Sequence, residues 1–249
     1  MIEINYKRIG NGSKIVIVMH EWMGDHTNYD TTIPYLNIVD FTYIFVDFRG
    51  YGLSKEIKGN YNLDEACEDM ISLIKDLNVD EVHLVGHSMS SLIAQRIALD
   101  LQEQVKTLIL ITPIPPTGIK MKEDAKNKLL ENVKNENGII EQVVESASKR
   151  YNNIWKEYRK DLAHNCSTIE AKLGYMNMYL SNDFSEKILG LETKTCVIVG
   201  KYDLPAFHKN FVQKQFIKYY PNLEIVECQE AGHYPMIECP VFFANQLEK

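Results

Sequence analysis

One serine stands where the sequence changes from a predicted strand to a predicted helix. Residues 82–87 read VHLVGH, a short, mainly apolar run, and Ser88 comes next, followed by the helix-like segment 89–94. A sharp strand-to-helix turn can hold a serine in a strained conformation with its hydroxyl exposed, provided that small residues stand two positions before and after it. Gly86 and Ser90 occupy those positions; glycine is usual at both, so Ser90 is a small departure. We therefore predict that Ser88 is a nucleophile, the alternative being a serine that only caps a helix.

A serine hydroxyl needs a base to take its proton and a carboxylate to fix the tautomer of that base before it can attack a carbonyl carbon. Residues 195–199 form a predicted strand that precedes Asp203, and residues 223–226 form another that precedes His233. The carboxyl ends of parallel strands meet at one edge of a sheet, where such folds bind their ligands. The chain order serine, acid, histidine is also one that hydrolytic triads use. We predict that His233 is the general base and that Asp203 orients it.

Three other acids also lie near predicted strand ends, namely Asp25, Asp47 and Glu227. Asp47 is interpreted as a structural residue that pairs with backbone groups or with Arg49 in its tight loop. Asp203 is preferred as the triad acid because the strand that it follows, 195–199, comes one strand before the strand that precedes His233.

The remaining histidines have simpler interpretations than catalysis. His20 is expected to form a local hydrogen bond that holds its loop, and His87 flanks the nucleophile. The others are expected to be solvent-exposed or packing residues: His26, His83, His164 and His208.

The elements that must position these residues alternate along the chain. Several predicted strands are almost uniformly apolar, which is typical of a parallel sheet covered by helices on both faces. Residues 63–77 have helical spacing of apolar positions, and residues 241–247 are expected to form a closing helix. Residues 3–9 are expected to form an edge strand that a glycine turn returns antiparallel to 14–19. The sequence thus predicts the α/β class, with strands at 14–19, 42–48, 81–85, 105–111, 195–199 and 223–226.

The strand pattern disappears from about residue 113 to residue 191. Prolines at positions 113, 115 and 116 open this region, and charged helical segments follow. We predict an inserted helical cap at 113–191, with residues 1–112 and 192–249 forming the core. Most aromatic residues of the cap are expected to join its helices rather than to line a pocket.

Taken together, these motifs resemble the α/β-hydrolase fold superfamily, nearest to its capped, esterase-like and lipase-like members. The resemblance rests on the Ser88 turn, the Asp203 loop, Gly232-His233, the loop DFRGYGLS at 47–54 and, in part, HEWMG at 20–24. It implies an oxyanion hole formed by the backbone N–H groups of Trp22 and Met89. Glu21 stands where that family usually has glycine, and we expect its carboxylate to point away from the oxyanion.

Composition limits the classes of partner and cofactor. The net charge is −7 without a basic stripe, which argues against a nucleic-acid partner. No signal peptide or run of about 20 apolar residues is visible, so a cytoplasmic protein without a membrane partner is expected. The five cysteines are scattered and are expected to be reduced thiols rather than metal ligands. Neither a metal nor an organic cofactor is expected, and the sequence does not indicate the oligomeric state.

The expected function is hydrolysis of a small carboxylic ester, or a related acyl substrate, through an acyl-enzyme intermediate. A lactone, a thioester or a carbon–carbon bond next to a ketone would need the same triad, and one fold hosts many reactions. Two functions of a different kind also stay open: a ligand-binding or signalling protein with little turnover, and a cofactor-free peroxidase-like side activity.

Overall fold

A single seven-stranded sheet organises the chain, which a computed structural model describes at residues 4–136, 138–147 and 150–249. The strand order is β1-β3-β2-β4-β5-β6-β7, and every neighbouring pair is parallel except β1 with β3. The predicted bounds of β2 and β5 agree with the structure. The strands are β1 (Tyr6–Ile9), β2 (Lys14–Met19), β3 (Phe41–Val46), β4 (Val82–His87), β5 (Val105–Ile111), β6 (Lys194–Gly200) and β7 (Leu223–Cys228).

Helices connect the strands and cover the sheet. The first begins after Asn62, whose side chain accepts the N–H of Glu65 and so caps the helix. The described helices are α1 (Leu63–Leu77), α2 (Met89–Asp100), α3 (Glu123–Lys134), α4 (Ile139–Ala147), α5 (Asn153–Asn165), α6 (Ile169–Ser181), α7 (Lys209–Phe216), α8 (Pro235–Glu238) and α9 (Pro240–Leu247).

The two faces of the sheet pack against different helices. In β2, Ile15 and Ile17 belong to an apolar cluster with residues of α1 and α2, whereas Val16 and Val18 belong to a cluster with residues of α9. Side chains of a strand alternate between faces, so a strand that is apolar at every position is buried on both. The predicted α/β class, with helices on both faces of a mostly parallel sheet, is confirmed.

The edge strand departs from its prediction. β1 is antiparallel, as predicted, but it pairs with β3 rather than with β2. The turn at Gly10 to Gly12 lies against the start of β3, since the N–H of Gly12 donates to the carbonyl of Phe41 at 3.2 Å. A Cβ at Gly12 would stand 1.9 Å from the carbonyl carbon of Asp40. The predicted hairpin between β1 and β2 is therefore wrong, because β3 enters between the two strands.

Four described helices, α3 to α6, lie between β5 and β6, in the region predicted as a cap. This insertion is fastened to the loop after β3: the N–H of Gly52 donates to the carbonyl of Cys166, and the N–H of Thr168 donates to that of Gly50. The division of the chain into core and cap stays a prediction. In the part of the chain that the structure describes, no helix has the length and apolar character needed to cross a membrane.

Candidate active site

Ser88 lies between β4 and α2 in a backbone conformation that few residues other than glycine adopt. Its φ is 50° and its ψ is −108°, and such strain costs about 1–3 kcal/mol unless the surroundings enforce it. Gly86 allows the tight turn, because a Cβ there would lie 2.7 Å from the carbonyl oxygen of Ser90 and 2.9 Å from the Cβ of Ala94. The strained strand-to-helix turn that the sequence predicts is present, and Ser88 lines an interior cavity.

Ser90 takes the place of the second glycine usual in such a turn. Its buried hydroxyl accepts the N–H of His87 at 2.9 Å and donates to the carbonyl of Met19 at 3.0 Å. The hydroxyl thereby links the serine turn to the end of β2, from which the loop carrying Trp22 departs. The departure from glycine adds a hydrogen-bonded connection between two parts of the site.

Asp203 and His233 meet from the loops that follow β6 and β7. Nδ1 of His233 donates to the carboxylate of Asp203, at 2.9 Å from Oδ2 and 3.1 Å from Oδ1. Burial lowers the pKa of His233, but the charge and hydrogen bond of Asp203, with smaller contributions from Glu21 and Glu238, raise it above its ordinary value. A proton held on Nδ1 leaves Nε2 as the nitrogen that can accept another.

Two glycines bring the acid loop and the histidine loop into contact. A Cβ at Gly200 would stand 1.9 Å from the carbonyl oxygen of Gly232, so no larger residue fits at the end of β6. The N–H of Tyr202 donates to the carbonyl of Ala231 at 3.0 Å. This close backbone contact places Asp203 within reach of His233.

A carboxylate that sequence reasoning missed holds the backbone on both sides of His233. Glu238 accepts the N–H of Gly232 at 2.8 Å through Oε2 and that of Tyr234 at 3.0 Å through Oε1. The hydroxyl of Tyr151, from the insertion, donates to the same carboxylate at 2.6 Å. The only hint in the sequence is the position of Glu238 shortly after the histidine, which many acids share by chance.

His87, which was predicted only to flank the nucleophile, also supports His233. Its Nε2 donates to the carbonyl of His233 at 2.9 Å, across 146 positions of sequence. Burial and then the charge of His233 lower the pKa of His87 well below its ordinary value. A neutral imidazole with its proton on Nε2 can make this bond.

The loop after β2 is held around Trp22 by three hydrogen bonds. Nδ1 of His20 donates to the carbonyl of Glu21, the hydroxyl of Tyr51 donates to that of Trp22, and the indole N–H donates to that of Lys172, each at 2.8 Å. The local bond expected of His20 is therefore present. The C=O and N–H of a trans peptide point in opposite directions, so the His20 bond turns the N–H of Trp22 away from the His20 ring.

Glu21 belongs to the wall of the cavity. Its carboxylate folds back onto its own loop, where Oε2 accepts the N–H of Met23 at 2.5 Å. Oε1 forms a buried ion pair with the guanidinium of Arg159 at 3.0 Å. Gly24 makes room for this arrangement, since a Cβ there would lie 2.7 Å from Oε1. Sequence reasoning missed Arg159 because it lies 138 positions away on α5.

The cavity, together with its opening to solvent, comprises about 610 Å³. Ser88, His233 and Trp22 all line it, whereas Met89 is buried as the first residue of α2. The first backbone N–H groups of a helix have no acceptor within it, so the Met89 N–H belongs to the donors available beside the serine. Most other walls are apolar, and they come from the insertion and from the acid loop: Ile119, Val143, Tyr179, Leu204 and Phe207.

Asp47 forms a second pair with a histidine outside this cavity. Its carboxylate accepts Nδ1 of His26 at 2.6 Å and the N–H groups of His26 and Leu53 at 2.8 and 2.7 Å. The expected pairing with backbone groups is thus observed, but Arg49 pairs instead with Asp69 and Glu65. The expectation that His26 is only a solvent or packing residue is wrong.

Among the residues that the structure describes, no three His, Cys, Asp or Glu side chains are grouped as ligands for a metal ion. Burial disfavours the charged form of a thiol and raises the pKa of Cys166 to about 12 and that of Cys196 to about 11. The polar side chains that line the cavity can form hydrogen bonds; they are Glu21, Trp22, Ser88, Tyr179, His233 and Tyr234.

The chain is similar in sequence to curated proteins that are named as an esterase and as a chloroperoxidase. It is 24% identical to the pimeloyl-(acyl-carrier protein) methyl ester esterase of Legionella pneumophila (strain Corby), over 100% of this chain and 99% of that protein. It is 22% identical to the non-heme chloroperoxidase CPO-A1 of Kitasatospora aureofaciens, over 93% of this chain and 89% of that one. Another curated relative is matched over only 30% of its own length.

A solved esterase from Exiguobacterium antarcticum superimposes with a TM-score of 0.85 at 21% identity, covering 98% of this chain and 94% of that one. At this level of identity the likeness shows the fold alone. The family described as alpha/beta hydrolase fold matches residues 14–240, which include the serine turn, the acid loop and the histidine loop. Because this match spans most of its length, the chain belongs to the alpha/beta hydrolase fold family.

Proposed function

We propose that this protein is a serine hydrolase that cleaves small carboxylic esters through an acyl-enzyme intermediate. Ser88 is the nucleophile, His233 the general base and Asp203 the residue that orients it. The observation that carries the proposal is that His233, paired with Asp203 at 2.9 and 3.1 Å, lines the same cavity as a serine on a strained turn.

The steps follow from the positions of these groups. Nε2 of His233 takes the proton of Ser88 as Oγ attacks the carbonyl carbon, and the carbonyl oxygen becomes negative. The backbone N–H groups of Trp22 and Met89 stabilise that oxygen; one such donor is typically worth about 2.7–4 kcal/mol. His233 then gives its proton to the leaving alcohol, and water activated by the same imidazole releases the acid.

The side chains that line the cavity support a mainly apolar substrate. The aliphatic and aromatic side chains of its walls favour an uncharged acyl or alcohol group. None of the described residues that line the cavity is a lysine or an arginine, and Arg159, which lies behind Glu21, is already paired with it. The similarity to proteins named as esterases points the same way.

The test is Ser88→Ala, assayed with p-nitrophenyl acetate. We expect kcat to fall by about 10⁴-fold or more, since removal of a triad member leaves only the contribution of the oxyanion hole and binding. Ser146→Ala is the matched control, because that exposed hydroxyl donates within α4, to the carbonyl of Gln142. Turnover retained by Ser88→Ala would refute the proposal.

Labelling separates an enzyme from a passive receptor. A fluorophosphonate should modify Ser88 of the unaltered protein at neutral pH, as an activated hydroxyl requires, whereas a ligand-binding protein without an activated serine stays unlabelled. A rate profile over short-chain and long-chain esters, lactones and acyl thioesters, with Ser88→Ala as blank, then ranks the acyl substrates. An added arm with hydrogen peroxide tests the peroxidase-like activity that the chloroperoxidase relative suggests.

A further inference from the structure

The ion pair between Glu21 and Arg159 joins the insertion to the loop that carries Trp22. Glu21 directly precedes Trp22, and Arg159 lies on α5. Both side chains are almost completely buried, with 3% and 1% of their surface exposed. A buried pair of opposite charges at the wall of a reaction cavity needs an explanation, because desolvating two ions is costly.

Both carboxylate oxygens of Glu21 accept hydrogen bonds. Oε2 accepts the N–H of Met23, and Oε1 accepts both Arg159 at 3.0 Å and the side-chain amide of Asn28 at 3.3 Å. These contacts turn the oxygens towards their own loop and towards α5. Glu21 therefore shapes the loop and does not act as a second base.

Arg159 in turn is held by three groups. Its second terminal nitrogen donates to Oδ1 of Asn28 at 2.7 Å, and its guanidinium lies 4.0 Å from the centre of the Tyr234 ring. Tyr234 directly follows His233. One side chain of the insertion thus contacts both the loop of the oxyanion donor and the loop of the general base.

We propose that Arg159 is a positioning residue that holds the Trp22 N–H in place through Glu21, so that docking of α5 completes the oxyanion hole. This inference rests on the proposed function. Without Arg159, the carboxylate of Glu21 would be a buried unpaired charge and would rotate towards water in the cavity. It would then release the Met23 N–H and bring a negative charge close to the developing oxyanion.

The first variant is Arg159→Met, which keeps an unbranched chain without charge. We expect kcat for p-nitrophenyl acetate to fall by about 10- to 100-fold while KM changes by less than about threefold, because the oxyanion contact is made mainly in the transition state. Affinity for a trifluoromethyl ketone should fall by a similar factor. Its adduct with the serine oxygen places a negative oxygen where the two N–H groups point.

Glu21→Gln is the second variant, in case Arg159→Met does not fold. It retains the side-chain volume and one acceptor oxygen but removes the charge. The double variant should be no slower than the worse single variant, since the two residues act as one unit. Arg49→Met is the matched control: it breaks the ion pairs with Glu65 and Asp69 away from the cavity and should lower the Tm without changing affinity for the ketone.

The outcomes separate this inference from the function on which it rests. If Arg159→Met and Glu21→Gln lose only Tm, as Arg49→Met does, and keep both kcat and ketone affinity, the pair is merely structural and the inference is wrong. If Ser88→Ala retains turnover, the proposed function fails whatever the Arg159 variants show. If Ser88→Ala is inactive while the Arg159 and Glu21 variants are fully active, only the positioning role is rejected.

Discussion

Two histidine–carboxylate pairs lie in loops that follow strands of the same sheet, and of their two histidines His233 is the one that lines the same cavity as Ser88. Asp203 follows β6 and pairs with His233; Asp47 follows β3 and pairs with His26. Both pairs use Nδ1 of the imidazole, and the Asp47 pair is the shorter, at 2.6 Å against 2.9 Å. A short bond between an imidazole and a carboxylate is therefore not what defines the candidate triad. What defines it is that His233 lines the same cavity as Ser88.

The carboxylates around the two histidines also bind different groups. Asp47 binds the ring of its histidine and, at the same time, the N–H groups of His26 and Leu53. Around His233, Asp203 binds the ring and the N–H of Leu204, while Glu238 binds the backbone on both sides of the histidine. One carboxylate thus holds both the ring and the backbone of His26, whereas two carboxylates share these contacts around His233.

The largest effect should come from converting each aspartate to asparagine. Asp203→Asn should reduce kcat by about 10³- to 10⁴-fold, because an amide no longer favours the tautomer with a proton on Nδ1. Asp47→Asn should instead lower the free energy of unfolding by about 1–3 kcal/mol, because the amide cannot accept all three N–H groups that the carboxylate accepts, with a much smaller loss of kcat. Steady-state kinetics measures the loss of kcat in both variants, and thermal unfolding measures their loss of stability. Equal losses of kcat would remove the distinction between the pairs.

The sequence was sufficient to predict the parts of the fold that depend on local pattern. The apolar runs of β2 and β5 and the helical spacing of α1 agree with the structure to the residue. The pairing of β1 could not be predicted in the same way, because a glycine turn between two strands is compatible with either a hairpin or an inserted third strand. Which of the two forms depends on contacts with Asp40 and Phe41, far outside the turn.

The residues of the candidate site also fall into those that local pattern predicts and those that depend on distant contacts. Ser88, Asp203 and His233 each follow a strand, so their types and order were enough to single them out. Glu238 and Arg159 act on backbone groups and on another side chain through contacts that no spacing rule describes. The insertion supplies Arg159 and Tyr151, and the sequence of its helices does not show which side chains face the core.

A smaller effect should follow from Glu238→Gln, which tests how much Glu238 contributes, beside Asp203, to the position of His233. The amide can accept one of the two N–H groups of Gly232 and Tyr234 but not both, since its nitrogen is a donor. We expect kcat to fall by about tenfold because the imidazole loses its fixed position. Glu230→Gln is the matched control: Arg150 forms ion pairs with both Glu238, at 3.9 Å, and Glu230, at 3.3 Å, but Glu230 is exposed. A Glu238→Gln variant with the kcat of the control would show that Asp203 alone positions the ring.

The smallest effects are those of pH, and they should have opposite signs in the two pairs. The charged groups that face His233 are Asp203, Glu21 and Glu238, and neutral His87 lies on the other side. Against the effect of burial, the three carboxylates raise the pKa of His233 above 6.5. The base must be neutral to accept a proton, so kcat/KM should increase as pH rises through a value above 6.5. An acid limb centred below about pH 6 would contradict this assignment.

The His26 pair should instead lose its stabilising effect as pH rises. The hydrogen bond to Asp47 is the main cause that raises the pKa of His26 above 6.5, burial opposes it, and the charges of Asp47, Asp25 and Asp30 add to it. A raised pKa in the folded state stabilises the protein fully below the unfolded value and not above the folded one. Asp47 must also be ionised, and its lowered pKa keeps it so at mildly acidic pH. The Tm difference between the unaltered protein and His26→Gln should therefore be largest at about pH 5–6 and clearly smaller at about pH 9. A difference that is constant over this range would mean that the bond, not the charge, of His26 stabilises the loop.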